Sequence, residues 1–306
     1  MNKKVIIVSK THLDLGFTDY ASVIREKYLN DFIPAAIEIA SAVNDNIHKR
    51  FVWTTGSWLL NQALSFGSDE LKVSLAAALK RGDIVAHAYP FTTHTELLDS
   101  DTLEYGLSLI DNIDKVSGIK TISAKMTDVP GHTSALVPYL AKKGIKLLHI
   151  GVNGASAVPD VPQCFLWEKD GYQIVVIYSG DYGGEFKSEF IDDILYFDHT
   201  LDNHGVRNAQ AVIDNYNKLA EKYQGYEVIA GGMDYIADKL WAVKDKLPII
   251  TSEIGDSWIH GAATDPYKVA ALRELQALKQ AWLSDGTLTK DSDEYITLSD
   301  NLLCIC

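Results

Sequence analysis

The first apolar run of this chain, VIIVSK (5–10), gives way after Thr11 to His12, Leu13 and Asp14, an imidazole and a carboxylate two positions apart. In a turning loop such a pair can face one way and offer a ring nitrogen and a carboxylate oxygen to a single divalent ion. In isolation the pair reads more readily as a polar turn, with His12 buried in the core and Asp14 bonded to backbone amides. A second acid, Asp128, stands in TDVPGHTS before a helical stretch, where capping or turn-forming carboxylates are common. Beside a bound cation it could also ligate metal and attack an electrophilic carbon. Asp202, in TLDNHG, could face Asp128 across a substrate as a general acid, or close a polar turn with Asn203, His204 and Gly205. His94 and Glu96 fall in YPFTTHTELLD, and EIGDSWIHGAATDP groups Asp256, Trp258 and His260. The indole suits stacking on a sugar ring, or a place in the core.

Short β-rich runs must position these residues, and they alternate with longer amphipathic segments, the pattern of parallel strands joined by crossover helices. Strands are predicted near 4–9, 51–54, 84–88, 122–126, 146–150, 193–198 and 226–230, seven in all. Between them YASVIREKYLNDFIPAAIEIASAV, SDELKVSLAAALKRG and HTSALVPYLAKKG show helical spacing, and the last two end in the glycine that commonly stops a helix. QCFLWEKDGYQIVVIYSG (163–180) reads as a β-hairpin insertion, and residues of about 265–306 as a C-terminal helical extension whose long helix covers roughly 266–284. The expectation is an α/β fold: one domain over 1–306, a closed seven-stranded parallel (β/α)7 barrel, with a doubly wound open sheet as the alternative. Either architecture gathers its chemistry at the carboxyl ends of the strands. His12, Asp14, His94, Glu96, Asp128 and Asp202 all follow predicted strands, whereas the opposite loops NDNIHKR, KRGD and KKGIK carry ordinary turn chemistry.

Composition narrows the partners. The 306 residues are 47% hydrophobic and 23% charged, as in soluble globular proteins. Lys and Arg number 28 against 41 Asp and Glu, a formal net charge of −13 that disfavours nucleic acid and anionic membranes. No segment approaches the roughly 18 apolar residues of a membrane span, and MNKKVIIVSKTHLD lacks a signal-peptide core. Cys164, Cys304 and Cys306 are sparse and without zinc-knuckle spacing, which favours reduced thiols and a cytoplasmic setting. There is no G-x-S-x-G, Walker A loop, G-x-G-x-x-G or H-E-x-x-H.

Two of these stretches, HLD at 12–14 and TDVPGHTSALVPYLAKKGIK at 127–146, resemble motifs of the N-terminal catalytic domain of glycoside hydrolase family 38, the α-mannosidases. FVWTTGSWLL resembles the family's second-strand region, and GDSWIHG followed by an Asp-Pro helix start is similar to a less characterised, mannosidase-like branch. The resemblance implies a seven-stranded β/α barrel and zinc-dependent, retaining hydrolysis of α-mannoside-like carbohydrates. It implies His12 and Asp14 as zinc ligands and Asp128 as nucleophile and third protein ligand. LDNHG stands where the family carries Gly-Asp-Asp, which leaves Asp202 to supply the acid and Asn203 in place of an expected carboxylate. The family's fourth zinc ligand is a histidine beyond the barrel. His260 is the nearest candidate, with sugar contact as its other role alongside His94, Glu96, Asp256 and Trp258. The chain ends at SDNLLCIC, before the family's helical and β-sandwich domains, which implies a truncated enzyme or a catalytic-domain fragment. Two other readings stay open. A metal-dependent carbohydrate deacetylase shares this barrel class but usually adds an H-x-x-x-H pair, absent here. A carbohydrate-binding paralogue could have kept the barrel and lost the chemistry. The oligomeric state is not set by the sequence.

Overall fold

A computed structural model describes residues 3–45, 47–259 and 264–306. Strand β1 (Lys4–Thr11) leads through α1 (Ala21–Lys27), a π-helical turn (Tyr28–Phe32) and α2 (Ile33–Val43) to β2 (Trp53–Gly56). Helices α3 (Ser57–Phe66) and α4 (Asp69–Arg81) precede β3 (Ile84–His87), α5 (Ser100–Ser117) precedes β4 (Ser123–Asp128), and α6 (Leu136–Lys143) precedes β5 (Leu147–Val152). The hairpin β6 (Cys164–Lys169) and β7 (Tyr172–Ser179) is followed by β8 (Glu185–Ser188), β9 (Ile191–Thr200), α7 (Ala209–Lys222) and β10 (Glu227–Ala230). Then come α8 (Asp234–Ala242), β11 (Ile249–Ile250), α9 (Pro266–Asp285) and α10 (Asp293–Ile305). No helix among the described residues is long and apolar enough to cross a membrane.

All seven predicted strands form, and they do so in two sheets. In the first, β1 pairs parallel with β9 from Val5 to Thr11. The other edge of β1 is shared, with β10 along Lys4–Ile7 and β2 along Ser9–Lys10, and β3 lies outside β2. The second sheet runs β4, β5, β7, β6, β11, with β4, β5 and β7 parallel. The sheets touch where Ala88 N donates to Ser123 O at 2.8 Å. The expected closed ring of seven is not what the pairing gives. The outer edge of β9 is taken by antiparallel β8 and that of β7 by antiparallel β6, so neither is free to join the sheets into a ring.

The hairpin also needs correction. It turns at Asp170 and Gly171, both at positive φ, as a tight hairpin requires. It is not an insertion, because Val175–Ser179 of β7 pair parallel with Leu147–Gly151 of β5. Ile174–Ser179 are buried without alternation, the mark of a strand covered on both faces.

Helix ends follow their local chemistry. Ser68 caps α4 by accepting from Leu71 N at 3.1 Å, Asp69 and Glu70 fill its first turn, and Gly82 ends it at φ +68. Asp265 caps α9 by accepting from Lys268 N, as the Asp-Pro pair predicts. The C-terminal helices are tied to α5 through fully buried Lys279, whose Nζ lies 3.0 Å from Asp101 Oδ2 and donates to Thr102 Oγ1 at 2.7 Å.

Candidate active site

The carboxyl ends of strands from both sheets surround one cavity of about 450 Å³. β1 stops at Thr11, and the next residue, His12, is buried with Nδ1 2.9 Å from Thr127 Oγ1 and Nε2 3.2 Å from Asp14 Oδ1. β4 ends on Asp128 at φ +87, a left-handed conformation that costs a residue with a Cβ about 1–2 kcal/mol. Such strain persists where the surroundings enforce it, and functional sites are where it gathers. Asp128 Oδ1 accepts from Asn153 Nδ2 at 2.9 Å and from the Tyr182 hydroxyl. One ligand atom each from His12, Asp14 and Asp128 lie within 4.8 Å of one another. An imidazole whose second nitrogen is already held, with two carboxylates, is a donor set that suits zinc.

The two loops that carry the site are clamped together by Asn203, itself at φ +53. Its Nδ2 donates to Asp14 O at 2.9 Å and Thr18 Oγ1 at 2.7 Å. Its Oδ1 accepts from Asp14 N at 3.2 Å and from the Tyr28 hydroxyl at 3.1 Å. Tyr28 comes from the π-helical turn, a local irregularity frequent near functional sites. Asn203 therefore positions the loop. Its neighbour Asp202 lines the cavity with one oxygen, Oδ1, buried and without a hydrogen bond. Burial raises the Asp202 carboxyl above its ordinary value, Asp14 and Asp128 add to the rise, and His12 and His204 oppose it. That direction suits a group that must hold a proton until it is needed.

His94 and Trp258 also line the cavity. His94 is tied down at Nδ1, 3.1 Å from Cys306 O, and Trp258 sits at φ +61. Glu96 and Asp256 are not among the lining residues. Glu96 turns its carbonyl to Arg273 and its carboxylate to Thr95, and Asp256 accepts from Trp258 N at 2.9 Å. His260 lies outside the described residues. Sequence reasoning missed Thr127, Asn153 and Tyr182, which hold His12 and Asp128 in place. Only Thr127 had a visible signal, as the polar residue next to Asp128.

No protein-family model matches the sequence, and no curated protein matches it. Solved structures do. An α-mannosidase from Enterococcus faecalis V583 is similar with a TM-score of 0.66 and 15% identity over 82% of this chain. The fold resembles that of glycoside hydrolase family 38. A second E. faecalis structure, a protein in that family, gives a TM-score of 0.55 and 14% identity over 83% of this chain and 29% of its own. The 4-α-glucanotransferase of Thermococcus litoralis gives 0.56 and 11% identity over 94% of this chain and 47% of its own. This chain spans about a third, 31%, of the length of the α-mannosidase it matches. At these identities the likeness is one of fold, and the chemistry has to be argued from the site.

Proposed function

We propose that this chain is the catalytic part of a zinc-dependent retaining glycoside hydrolase acting on α-mannoside-like carbohydrates, a single catalytic domain whose two sheets form an open variant of the β/α barrel. The observation that carries the reading is the convergence of His12, Asp14 and Asp128, from the ends of strands in different sheets, inside a cavity of a fold shared with family 38. His12 Nε2 and the carboxylates of Asp14 and Asp128 would hold the ion. Bound there, zinc supplies Lewis-acid polarisation of sugar hydroxyls.

The protein's own groups carry the displacement. The Asp128 carboxylate attacks the anomeric carbon as the glycosidic C–O bond breaks, and Asp202 gives its proton to the departing oxygen. Asp202 then takes a proton from water, which attacks the same carbon and frees Asp128, so the configuration is retained. A separation of about 5–5.5 Å between the two carboxyl groups is expected for this outcome. Asn153 and Tyr182 fix the orientation of Asp128, and Trp258 and His94 offer an aromatic face and an imidazole to the sugar.

Turnover of an aryl α-mannoside by the zinc-loaded protein, followed by NMR of the released sugar, tests the reading. The expected result is α-mannose as first product, lost in Asp128→Asn. Acetate release from an acetylated sugar without glycosidic cleavage would replace it with the deacetylase, and mannoside binding without turnover with a binding protein.

A further inference from the structure

A second cavity, of about 20 Å³, adjoins His12 and is lined also by Lys125, His87, Thr55, Gly56 and Thr92. That is room for one water-sized or halide-sized particle. No carboxylate lines it, and apolar Leu13, Pro90 and Phe91 share the wall with Lys125 and His87. Lys125 projects from β4, is 5% exposed, and makes a single hydrogen bond, from Nζ to Thr127 Oγ1 at 3.0 Å. No ion pair to it is found among the described residues, and burial alone pulls its ammonium down to about 7. His87 is 3% exposed and its Nδ1 is buried with no hydrogen-bond partner. Gly56 is the N-cap of α3 and brings no capping side chain, although the first turn of that helix, Ser57–Leu60, is fully buried.

A buried ammonium without a carboxylate and a buried ring nitrogen without a partner thus meet at one small space, beside the Gly56 backbone. Each alone is compatible with ordinary packing. Together they describe a small hole that pairs one buried ammonium with a neutral imidazole, an arrangement able to hold an anion. A water molecule could accept from His87 or Lys125 but would leave the charge of Lys125 uncompensated.

We infer that this cavity binds one halide-sized monovalent anion, chloride under ordinary conditions, between Lys125 and His87. The anion keeps Lys125 protonated and donating to Thr127, the residue that in turn contacts His12 Nδ1. The inference concerns the support beneath the proposed metal ligand and requires no glycosidase activity.

Two measurements test it independently of turnover. Crystals of the full chain grown in bromide should show an anomalous bromine peak in the cavity beside Lys125 Nζ. In solution, replacing gluconate by chloride at constant ionic strength should raise Tm by about 2–3 °C for each tenfold of chloride above its dissociation constant. Both signals should vanish in Lys125→Met, and His87→Phe, which fills the cavity, should abolish them by a separate route. A wild-type crystal with no bromine peak, or with water alone in the cavity, overturns the inference, as does a wild-type Tm indifferent to chloride.

Discussion

Replacing Thr127 by valine removes one oxygen, nearly preserves side-chain volume, and strips two buried donors of a shared acceptor. His12 Nδ1 lies 2.9 Å and Lys125 Nζ 3.0 Å from Thr127 Oγ1, in a residue with no solvent exposure. The two donors respond differently. His12 can move its proton to Nε2, where Asp14 Oδ1 waits at 3.2 Å, but in that tautomer Nε2 has no lone pair for an ion. Lys125 loses its one hydrogen bond, and a buried donor left unmade costs about 1–3 kcal/mol. Since burial already brings the Lys125 ammonium to about 7, release of its proton relieves part of that cost at higher pH. Metal-free Thr127→Val should therefore be less stable by about 1–3 kcal/mol, least so in alkaline buffer. Its zinc affinity should fall by about 10–100-fold, the range seen when an outer-sphere partner of a ligating histidine is lost. Denaturant melts and isothermal titration with zinc measure the two effects, and Thr127→Ser should restore both. A Thr127→Val protein that is destabilised yet binds zinc as well as wild type would refute the role of Thr127 in setting the His12 tautomer.

Asp128→Asn should keep its stability within about 0.5 kcal/mol, because Asn also tolerates positive φ, while mannoside turnover drops by roughly 10⁴-fold or more. Thermal melts beside a turnover assay check this, and an active variant would exclude Asp128 as nucleophile. Burial holds the His132 imidazolium down to about 3, with both ring nitrogens unpartnered, so below its ordinary 6.5 the unfolded chain binds the proton and the folded one does not. Stability should thus fall as pH drops, by about 2 kcal/mol at pH 5 from this group alone. His132→Leu should lose that part of the slope in melts compared between neutral and acid buffer, and an unchanged slope would assign the acid sensitivity elsewhere. A Cβ at Gly131 would lie 2.2 Å from Ile254 O and 2.4 Å from the Gly255 carbonyl carbon. Gly131→Ala should accordingly displace the segment leading to Trp258, costing about 1–3 kcal/mol and raising KM for mannosides. Unchanged Tm and KM would contradict that packing.

Much of this could be read from the sequence, for identifiable reasons. Strands buried on both faces appear as short apolar-rich runs, so VIIV, ISAKM and KLLHI mark β1, β4 and β5 directly. The chain direction of a parallel strand then fixes which end is which, and that placed His12, Asp14 and Asp128 on one rim before any contact was known. Pairing partners are not written in local pattern. Nothing in QIVVIYS says that it lies beside β5, and EFKS and the two-residue β11 are too short to stand out, yet β8 is what occupies the edge of β9. The supporting residues were hidden for another reason. Lys10 and Lys125 sit inside strands whose apolar neighbours define the core, and a lone lysine there reads as a surface-facing position until burial is known. Asn203 occupies a turn-like sequence, and only its four bonds to the His12–Asp14 loop and to Tyr28 show it to be a clamp.

The most direct test of the proposed centre is anomalous scattering at the zinc edge from crystals of the protein equilibrated with zinc. A site built by His12, Asp14 and Asp128 predicts one strong peak about 2.0–2.2 Å from His12 Nε2 and from one carboxylate oxygen of each aspartate, lost in His12→Ala. No peak at that position under saturating zinc, or a peak that survives His12→Ala, would contradict it.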